Sequence, residues 1–261
     1  MSRAIQVEVQ DGLTTLTLAN PEKGNPIDGN FGVELRQVVN DLRQQAGLRA
    51  VLLCAQGDNF SFGGDLKVFA EQLDQLPEII TNWTADLNVA LQRFWTLPVP
   101  IVCAVQGFTM GGALSLAAGC DFVIAGRSAR LGSAFAQIGF SCDSGSSVTL
   151  SARMGASRAR RFVLLGEVLE GEAAQAAGLV DQVVADGELQ TVARQLALRL
   201  ASGPTQAYGE IKRLFRAGGA AVLEGQLEDE ARTLARIAAT LDAREGIASR
   251  VAKRKPIFQG R

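Results

Sequence analysis

The chain has 261 residues, of which 47% are hydrophobic and 20% are charged, so it can bury a sizeable core and is too apolar for intrinsic disorder. Its 26 Lys and Arg residues against 27 Asp and Glu residues give a formal charge of −1, without the basic surplus typical of nucleic-acid or anionic-membrane binding. No run approaches about 18 apolar residues, and the N-terminal MSRAIQVEVQD has no apolar signal core. We therefore expect a cytoplasmic globular protein.

Histidine is absent from the sequence, which excludes Ser-His-Asp and Cys-His catalysis and imidazole metal sites. Acid–base chemistry must then use carboxylates, Lys, Tyr or Cys. The four cysteines form no CxxC pair, and Cys54, Cys103 and Cys120 lie in apolar stretches. We expect reduced core thiols rather than disulfides or metal ligands.

The first part of the chain carries alternating strand and helix signals. Ile5, Val7 and Val9 alternate with polar residues before an Asp11-Gly12 turn, which predicts a β-hairpin. A helix capped by Asp28 is expected next, followed by a buried strand at AVLLCA. Further on, the pattern predicts a long amphipathic helix spanning 79–94, a strand at IVCAV, a short helix after a glycine pair and a strand at DFVIAG.

The second part of the chain is mainly helical in pattern. After Ser146 it contains one strand candidate, LVDQVV, and the region from about Pro204 to Lys253 is typical of helices with apolar faces. We predict an α/β fold with a core at 1–200 and a helical region at 201–261, which packs on the core or on another subunit.

Two glycine-rich segments each follow a strand and precede a helix. They are FSFGGDL at 60–66 and QGFTMGGA at 106–113. Glycine allows a ligand to approach the backbone, and free amides at a helix start can donate to an anion or an oxyanion. Taken alone, a glycine before a helix is more often ordinary turn chemistry. Ser115 is expected to be a buried helical serine, because a nucleophilic serine has no histidine base here.

Taken together, NPEKGNPID, FSFGGDL, PIVCAVQGFTMGGALSLAAGCDFVIAG, GFSCDSGSS and the closing AKRKPIF resemble the crotonase, or enoyl-CoA hydratase/isomerase, superfamily over essentially the whole chain. The resemblance implies a spiral of ββα turns with a helical C-terminal region. It also implies a homotrimer or a dimer of trimers, and a coenzyme A thioester as substrate with no further cofactor and no metal.

The resemblance also assigns roles to residues. The amides of Gly64 and Gly112 correspond to the donors that hold the thioester oxygen. Lys23 and Lys67 match positions near the phosphates and adenine of coenzyme A, together with the loop residues Phe62, Gly63, Asp65 and Leu66. Lys253 and Lys255 would reach the coenzyme of a neighbouring subunit. For each lysine, a solvated surface charge is the alternative interpretation.

The chain departs from the hydratase pattern at both catalytic glutamate positions, which are Ser115 and Phe135 here. Water addition needs an activating group and a proton source, so hydration is disfavoured. Asp143 matches the aspartate that serves as base in ring-epoxide and double-bond isomerases of the superfamily. The alternative is that Asp143 caps the helix starting near Ser146, and Asp65 and Asp121 are expected to have such structural roles.

The resulting hypothesis is an acyl-CoA isomerase in which Asp143 transfers a proton and the two amides stabilise an enolate. One alternative is an enoyl-CoA hydratase with a second acid that the sequence does not reveal. Another is an acyl-CoA-binding member of the superfamily without catalytic activity.

Overall fold

The N-terminal hairpin forms as expected, with Asp11 and Gly12 both at positive φ in its turn. The computed structural model describes residues 3–71, 76–135, 142–218, 241, 254, 257 and 259–261. The strands are β1 (Ile5–Gln10), β2 (Leu13–Leu18), β3 (Ala50–Ala55), β4 (Ile101–Val105), β5 (Phe108–Met110), β6 (Phe122–Gly126), β7 (Arg130–Gly132), β8 (Val168–Glu170) and β9 (Gln182–Val184). The helices are α1 (Gly29–Gln44), α2 (Leu66–Glu71), α3 (Leu76–Trp95), α4 (Gly112–Ala118), α5 (Ser146–Met154), α6 (Ala156–Leu165), α7 (Gly171–Ala176), α8 (Leu189–Ala201) and α9 (Thr205–Gly218).

Six strands form the large sheet in the order β1-β2-β3-β4-β6-β9. Only the hairpin pair β1 and β2 is antiparallel, and each later neighbour is parallel. β3 and β4 are buried along their whole length, as expected for parallel strands covered on both faces.

A smaller ladder runs beside the large sheet. It contains β5, β7 and β8, and an isolated parallel bridge joins Ser61 to Thr109 of β5. Each strand of the large sheet from β3 to β6 is thus followed by a short extended segment and then a helix. This repeat is the ββα spiral that the resemblance implies, so the predicted fold class is confirmed.

Helices cover both faces of the large sheet. Alternate residues of the strands, such as Leu53 and Cys103, pack with α1, α3 and α4 on one face. The residues between them, such as Leu52 and Val102, pack with α8 on the other face. α1 and α3 approach closely because Gly29 and Gly32 carry no side chain; a Cβ on Gly29 would lie 2.7 Å from Trp83.

The structure corrects the expectations at three short strands. β5, β7 and β8 have three residues each, which is too short for a detectable alternation of apolar and polar residues. α5 begins at Ser146 as predicted, and α8 and α9 meet near the predicted boundary at residue 200. The division into two domains stays a prediction.

Cys54, Cys103 and Cys120 are buried and all four cysteines are free, so the expected reduced core thiols are confirmed. In the C-terminal region, most of the predicted helical segment beyond Gly218 lies outside the described residues. Among the helices that the structure describes, none has both the length and the apolar composition to cross a bilayer.

Candidate active site

The first glycine-rich loop follows β3. Gly63 has a φ of +86°, and a Cβ there would lie 2.8 Å from the carbonyl oxygen of Met110. Only glycine fits this conformation and this contact. The Gly63 amide donates to the Ser61 hydroxyl at 3.0 Å, and its carbonyl accepts from the Ile27 amide at 2.9 Å. These bonds fix the backbone just before Gly64.

The second loop follows β5 and begins α4. Gly111 precedes the helix with φ of 55° and ψ of −127°, a conformation that is essentially limited to glycine. The Gly111 amide donates to the carbonyl of Gly132 on β7 at 3.0 Å. Gly112 is therefore held as the first residue of α4, with its amide at the helix start.

The small ladder joins the two loops directly. The Ser61 amide donates to the carbonyl of Phe108 and the Met110 amide donates to the carbonyl of Ser61, both at 3.0 Å. Gly64 and Gly112 line one common cleft. Within the described part of the chain, neither of their amides has a protein acceptor, so both donors are available to a ligand.

Asp143 lines the same cleft, on the turn before α5. Its carbonyl accepts from the Ser146 amide at 2.9 Å, across Ser144 and Gly145 at φ of 51° and 75°. The N-cap of α5 is Gly145, with no side-chain capping bond. The capping interpretation of Asp143 is therefore wrong: its carboxylate is bound by the Ser144 hydroxyl, which donates to Oδ1 at 3.0 Å.

The surroundings of the carboxyl group change its acidity. Burial raises the pKa of the Asp143 carboxyl, and the hydrogen bond from Ser144 opposes that rise. Among the described residues around the cleft, Asp143 alone carries an ionisable side chain. A partly buried carboxylate of this kind is a stronger base than an exposed one.

The space in front of Asp143, which we name the inner cleft, has a cavity volume of about 90 Å³ and is partly open to solvent. Its walls are mainly apolar. The rings of Phe69 and Trp83 pack with centroids 5.3 Å apart. The other apolar side chains of the wall are Ile27, Phe62, Leu66, Ile80, Leu87, Ala134 and Phe135.

A second space, the outer cleft, adjoins the inner one and shares Phe62, Gly64, Leu66 and Ala134 with it. The residues assigned by resemblance to coenzyme A all lie around it: Lys23, Phe62, Gly63, Asp65, Leu66 and Lys67. Both lysines are exposed. Lys253 and Lys255 lie outside the described residues.

Asp65 has the structural role expected for it. Its Oδ1 accepts from the amides of Lys67 at 3.0 Å and Val68 at 3.3 Å, and so caps α2. Asp121 likewise supports the chain reversal before β6, since its Oδ2 accepts from the Ile101 amide at 2.8 Å.

The two positions that depart from the hydratase pattern have different surroundings. Phe135 lines the inner cleft. Ser115 is fully buried and its hydroxyl bonds to that of Ser146, so the expected buried helical serine is confirmed.

Sequence reasoning missed Ser144 and Ser133 in the cleft. Serines carry no periodic signal, and only the adjacency of Ser144 to Asp143 pointed towards it.

The arrangement therefore combines one carboxylate that can move a proton with two free amides that can bind a negatively charged oxygen. In the part of the chain open to description, no three carboxylate or thiol side chains cluster as metal ligands would.

Sequence comparison relates the chain to known proteins. The sequence model of the enoyl-CoA hydratase/isomerase family matches residues 8–261. The chain is 34% identical to 1,2-epoxyphenylacetyl-CoA isomerase of Escherichia coli K12, with all of both chains covered. It is 32% identical to 2,3-dehydroadipyl-CoA hydratase of the same organism, with 98% of each chain covered.

Solved structures show the same fold. The crystal structure of an enoyl-CoA hydratase from Polaromonas sp. JS666 superposes with a TM-score of 0.92 at 27% identity, covering 98% of this chain and 99% of that one. The family match extends over both glycine-rich loops and the Asp143 turn. The chain belongs to the enoyl-CoA hydratase/isomerase family.

Proposed function

We propose that this family member is an acyl-CoA isomerase that moves a proton between two carbons of its acyl group. The Asp143 carboxylate takes a proton from a carbon of the acyl group whose negative charge, once the proton has left, is conjugated with the thioester carbonyl. The electron pair of that C–H bond moves into the conjugated system and places negative charge on the thioester oxygen. The amides of Gly64 and Gly112 donate to this oxygen. Asp143, now a carboxylic acid, returns the proton to a second carbon.

One observation carries the proposal. Asp143 is the sole ionisable side chain among the described residues around a cleft that also contains both free amides. A proton shift needs one group that removes a proton from one carbon and delivers a proton to another, whereas hydration needs one group for water and another for carbon. At the two positions where, by the resemblance, hydratases carry their catalytic glutamates, this chain has Ser115, which is buried in a hydroxyl pair, and the apolar Phe135.

The walls of the inner cleft favour a neutral acyl group. No Lys or Arg side chain contributes to the described part of this cleft, and the Phe69–Trp83 pair offers flat apolar surfaces. Aromatic rings pack favourably against such surfaces, so an aryl or cyclic acyl group fits better than a carboxylate-bearing one. The relative named 1,2-epoxyphenylacetyl-CoA isomerase supports this choice.

The outer cleft supports coenzyme A as the carrier. Lys23 and Lys67 lie at its rim, where cationic side chains would meet phosphate groups. Assembly into a trimer or a dimer of trimers belongs to the same proposal. Ile211 and Phe215 of α9 are 52% and 84% exposed among the described residues, and a neighbouring subunit would cover such side chains.

The test is a panel of 3-enoyl, 2-enoyl and aryl-epoxide CoA thioesters incubated in deuterated water, with the product masses recorded. An isomerase gives a product of unchanged composition that carries deuterium at carbon. Parallel incubation in ¹⁸O-water detects a hydratase, because its product gains the elements of labelled water. Tight binding of the thioesters with neither change would instead indicate a family member without catalytic activity.

Hydration is the second candidate, and the relative named 2,3-dehydroadipyl-CoA hydratase is the observation that favours it. In that case Asp143 would activate water and a second proton source would be required at carbon. Incorporation of ¹⁸O into the product would replace the isomerase proposal with this one.

A further inference from the structure

Three serine hydroxyls surround Asp143 in a connected network. Ser144 donates to the carboxylate oxygen Oδ1 at 3.0 Å. Ser146 donates to the main-chain carbonyl of Asp143 at 2.7 Å, and the Ser146 hydroxyl is bonded to that of Ser115. The exposed fractions of Ser115, Ser144 and Ser146 are 0%, 3% and 1%. The network is therefore shielded from water.

The direction of the hydrogen bonds follows from the number of protons. A serine hydroxyl has one proton to donate. Because Ser146 directs its proton to the carbonyl of Asp143, we assign the proton between the two hydroxyls to Ser115. The Gly111 carbonyl, at 3.4 Å, is a second and more distant acceptor for the Ser115 hydroxyl. Ser115 lies on α4, one turn after Gly112, so the network connects the helix that carries the oxyanion donor with the turn that carries the base.

A second contact joins α4 to the turn that carries Asp143. A Cβ on Gly112 would lie 3.0 Å from the Ser144 hydroxyl oxygen, so Ser144 packs directly on the oxyanion glycine. Ser144 keeps this position with φ at +51°, a conformation that is unfavourable for serine. From this strained conformation, the Ser144 hydroxyl makes its hydrogen bond to the Asp143 carboxylate.

We propose that Ser115, Ser144 and Ser146 are positioning residues that hold the Asp143 carboxylate at a fixed place relative to the Gly112 amide. Ser146 and Ser115 fix the main chain of the turn, and Ser144 fixes the carboxylate itself. The inference rests on the proposed function, since it assumes that Asp143 is the base. It assigns these serines no proton transfer of their own; they act through the placement of Asp143.

The first experiment uses Ser115→Ala in the full-length protein, because Ser115 lines neither cleft. Misplacement of a catalytic group by about 1 Å can lower a rate about 100-fold. We expect kcat to fall about 10-fold to 100-fold, while KM for the thioester stays within about two-fold. The matched control is Thr14→Val in β2. It removes an equally buried hydroxyl, which is bonded to the Gln45 side chain and lines neither cleft, and should leave kcat per folded molecule unchanged.

A purely structural role for Ser115 predicts a different result. The melting temperature and the fraction of folded enzyme would fall, but kcat per folded molecule would match that of the wild type. That outcome overturns the proposal, and so does a rise of KM with unchanged kcat.

The second experiment uses Ser144→Gly, which deletes the donor to the carboxylate and places at φ +51° the residue that best accepts it. The melting temperature should not fall. The pKa of Asp143 should rise further, because the bond that lowers it is gone. It is measured from the infrared carboxyl band that disappears in Asp143→Asn.

The infrared titration separates this inference from the proposed function. If no CoA thioester is turned over by the wild type, the proposed function fails, but the titration still tests the contact with Ser144. An unchanged pKa of Asp143 in Ser144→Gly overturns the positioning role. A raised pKa together with a lower kcat in an active enzyme supports both.

Discussion

The Lys212 ammonium of α9 lies 2.6 Å from Oδ2 of Asp121 and also donates to the carbonyl of Val99 at 2.8 Å. The side chains are only 9% and 23% exposed. Burial lowers the pKa of Lys212, and the carboxylate of Asp121 opposes that change. The pair connects α9 to the chain reversal between α4 and β6.

Removing one partner of this ion pair should destabilise the fold. Lys212→Ala removes the ammonium paired with the Asp121 carboxylate, and breaking a buried pair in this way costs about 3–5 kcal/mol. We expect a melting temperature lower by about 6 °C or more, measured by calorimetry. The control is Lys67→Ala at an exposed position, which should change the melting temperature little; equal effects of both variants would contradict a stabilising role for the pair.

Asp143→Asn should abolish catalysis without loss of stability. The amide still accepts the hydrogen bond from Ser144 but cannot take a proton, so isomerisation and deuterium exchange at carbon should fall by orders of magnitude. Affinity for the thioester should stay within about three-fold, since binding energy that does not depend on the base is retained. Exchange is followed by mass spectrometry and affinity by calorimetry. An active Asn variant would remove Asp143 from the mechanism.

The pH dependence of the rate follows from the raised pKa of Asp143. A protonated carboxyl cannot act as a base, so kcat/KM should rise with pH along a limb whose midpoint lies above the ordinary value of 3.8. A pH–rate profile of the wild type measures this limb. A midpoint at or below the ordinary value would show that burial does not raise the pKa of Asp143.

Stability should change with pH in the opposite direction. The folded state holds the proton of Asp143 more tightly than the unfolded state does, so the contribution of this group falls as pH rises from 3.8 through the raised folded value. Asp143→Asn removes this pH-dependent loss of stability, because the amide does not titrate. Its melting temperature relative to the wild type should be higher at about pH 7 than at about pH 4. A difference independent of pH would contradict the assignment.

The amide of Gly112 can be tested with a matched pair of variants. Gly112 is the first residue of α4, a helix position where proline is tolerated. Gly112→Pro removes the amide proton, whereas Gly112→Ala keeps it and adds a Cβ near Ser144. The proline variant should be about 100-fold to 1000-fold slower than the alanine variant. Equal rates in two folded variants would mean that the oxyanion binds elsewhere.

Local sequence signals predicted the elements that are long or strongly capped. Asp28 caps α1 through a 2.9 Å bond from the Phe31 amide, and the uninterrupted apolar run of β3 forms a strand buried on both faces. The strands of the small ladder were not predicted, because each is defined by pairing with a distant segment, as Arg130 of β7 pairs with Phe108.

The contrast between local signals and contacts of distant segments also applies to the site. The resemblance placed Gly64, Gly112 and Asp143 in one cleft before any geometry was known, but it left open whether Asp143 caps a helix. That choice depends on the direction of one side chain in the turn before α5. The Ser115–Ser146 contact joins residues 31 positions apart, and no local pattern encodes it.

The small ladder and α3 form different parts of the proposed site. The bridge between Ser61 and Thr109 sets the spacing of the two amide donors, while Trp83 and Leu87 of the acyl wall belong to α3, which packs on α1 through Gly29 and Gly32. Substitutions along α3 can reshape the space for the acyl group without moving either donor. One scaffold can thus exchange its substrates over evolutionary time while the two amides that we propose as enolate donors stay in place.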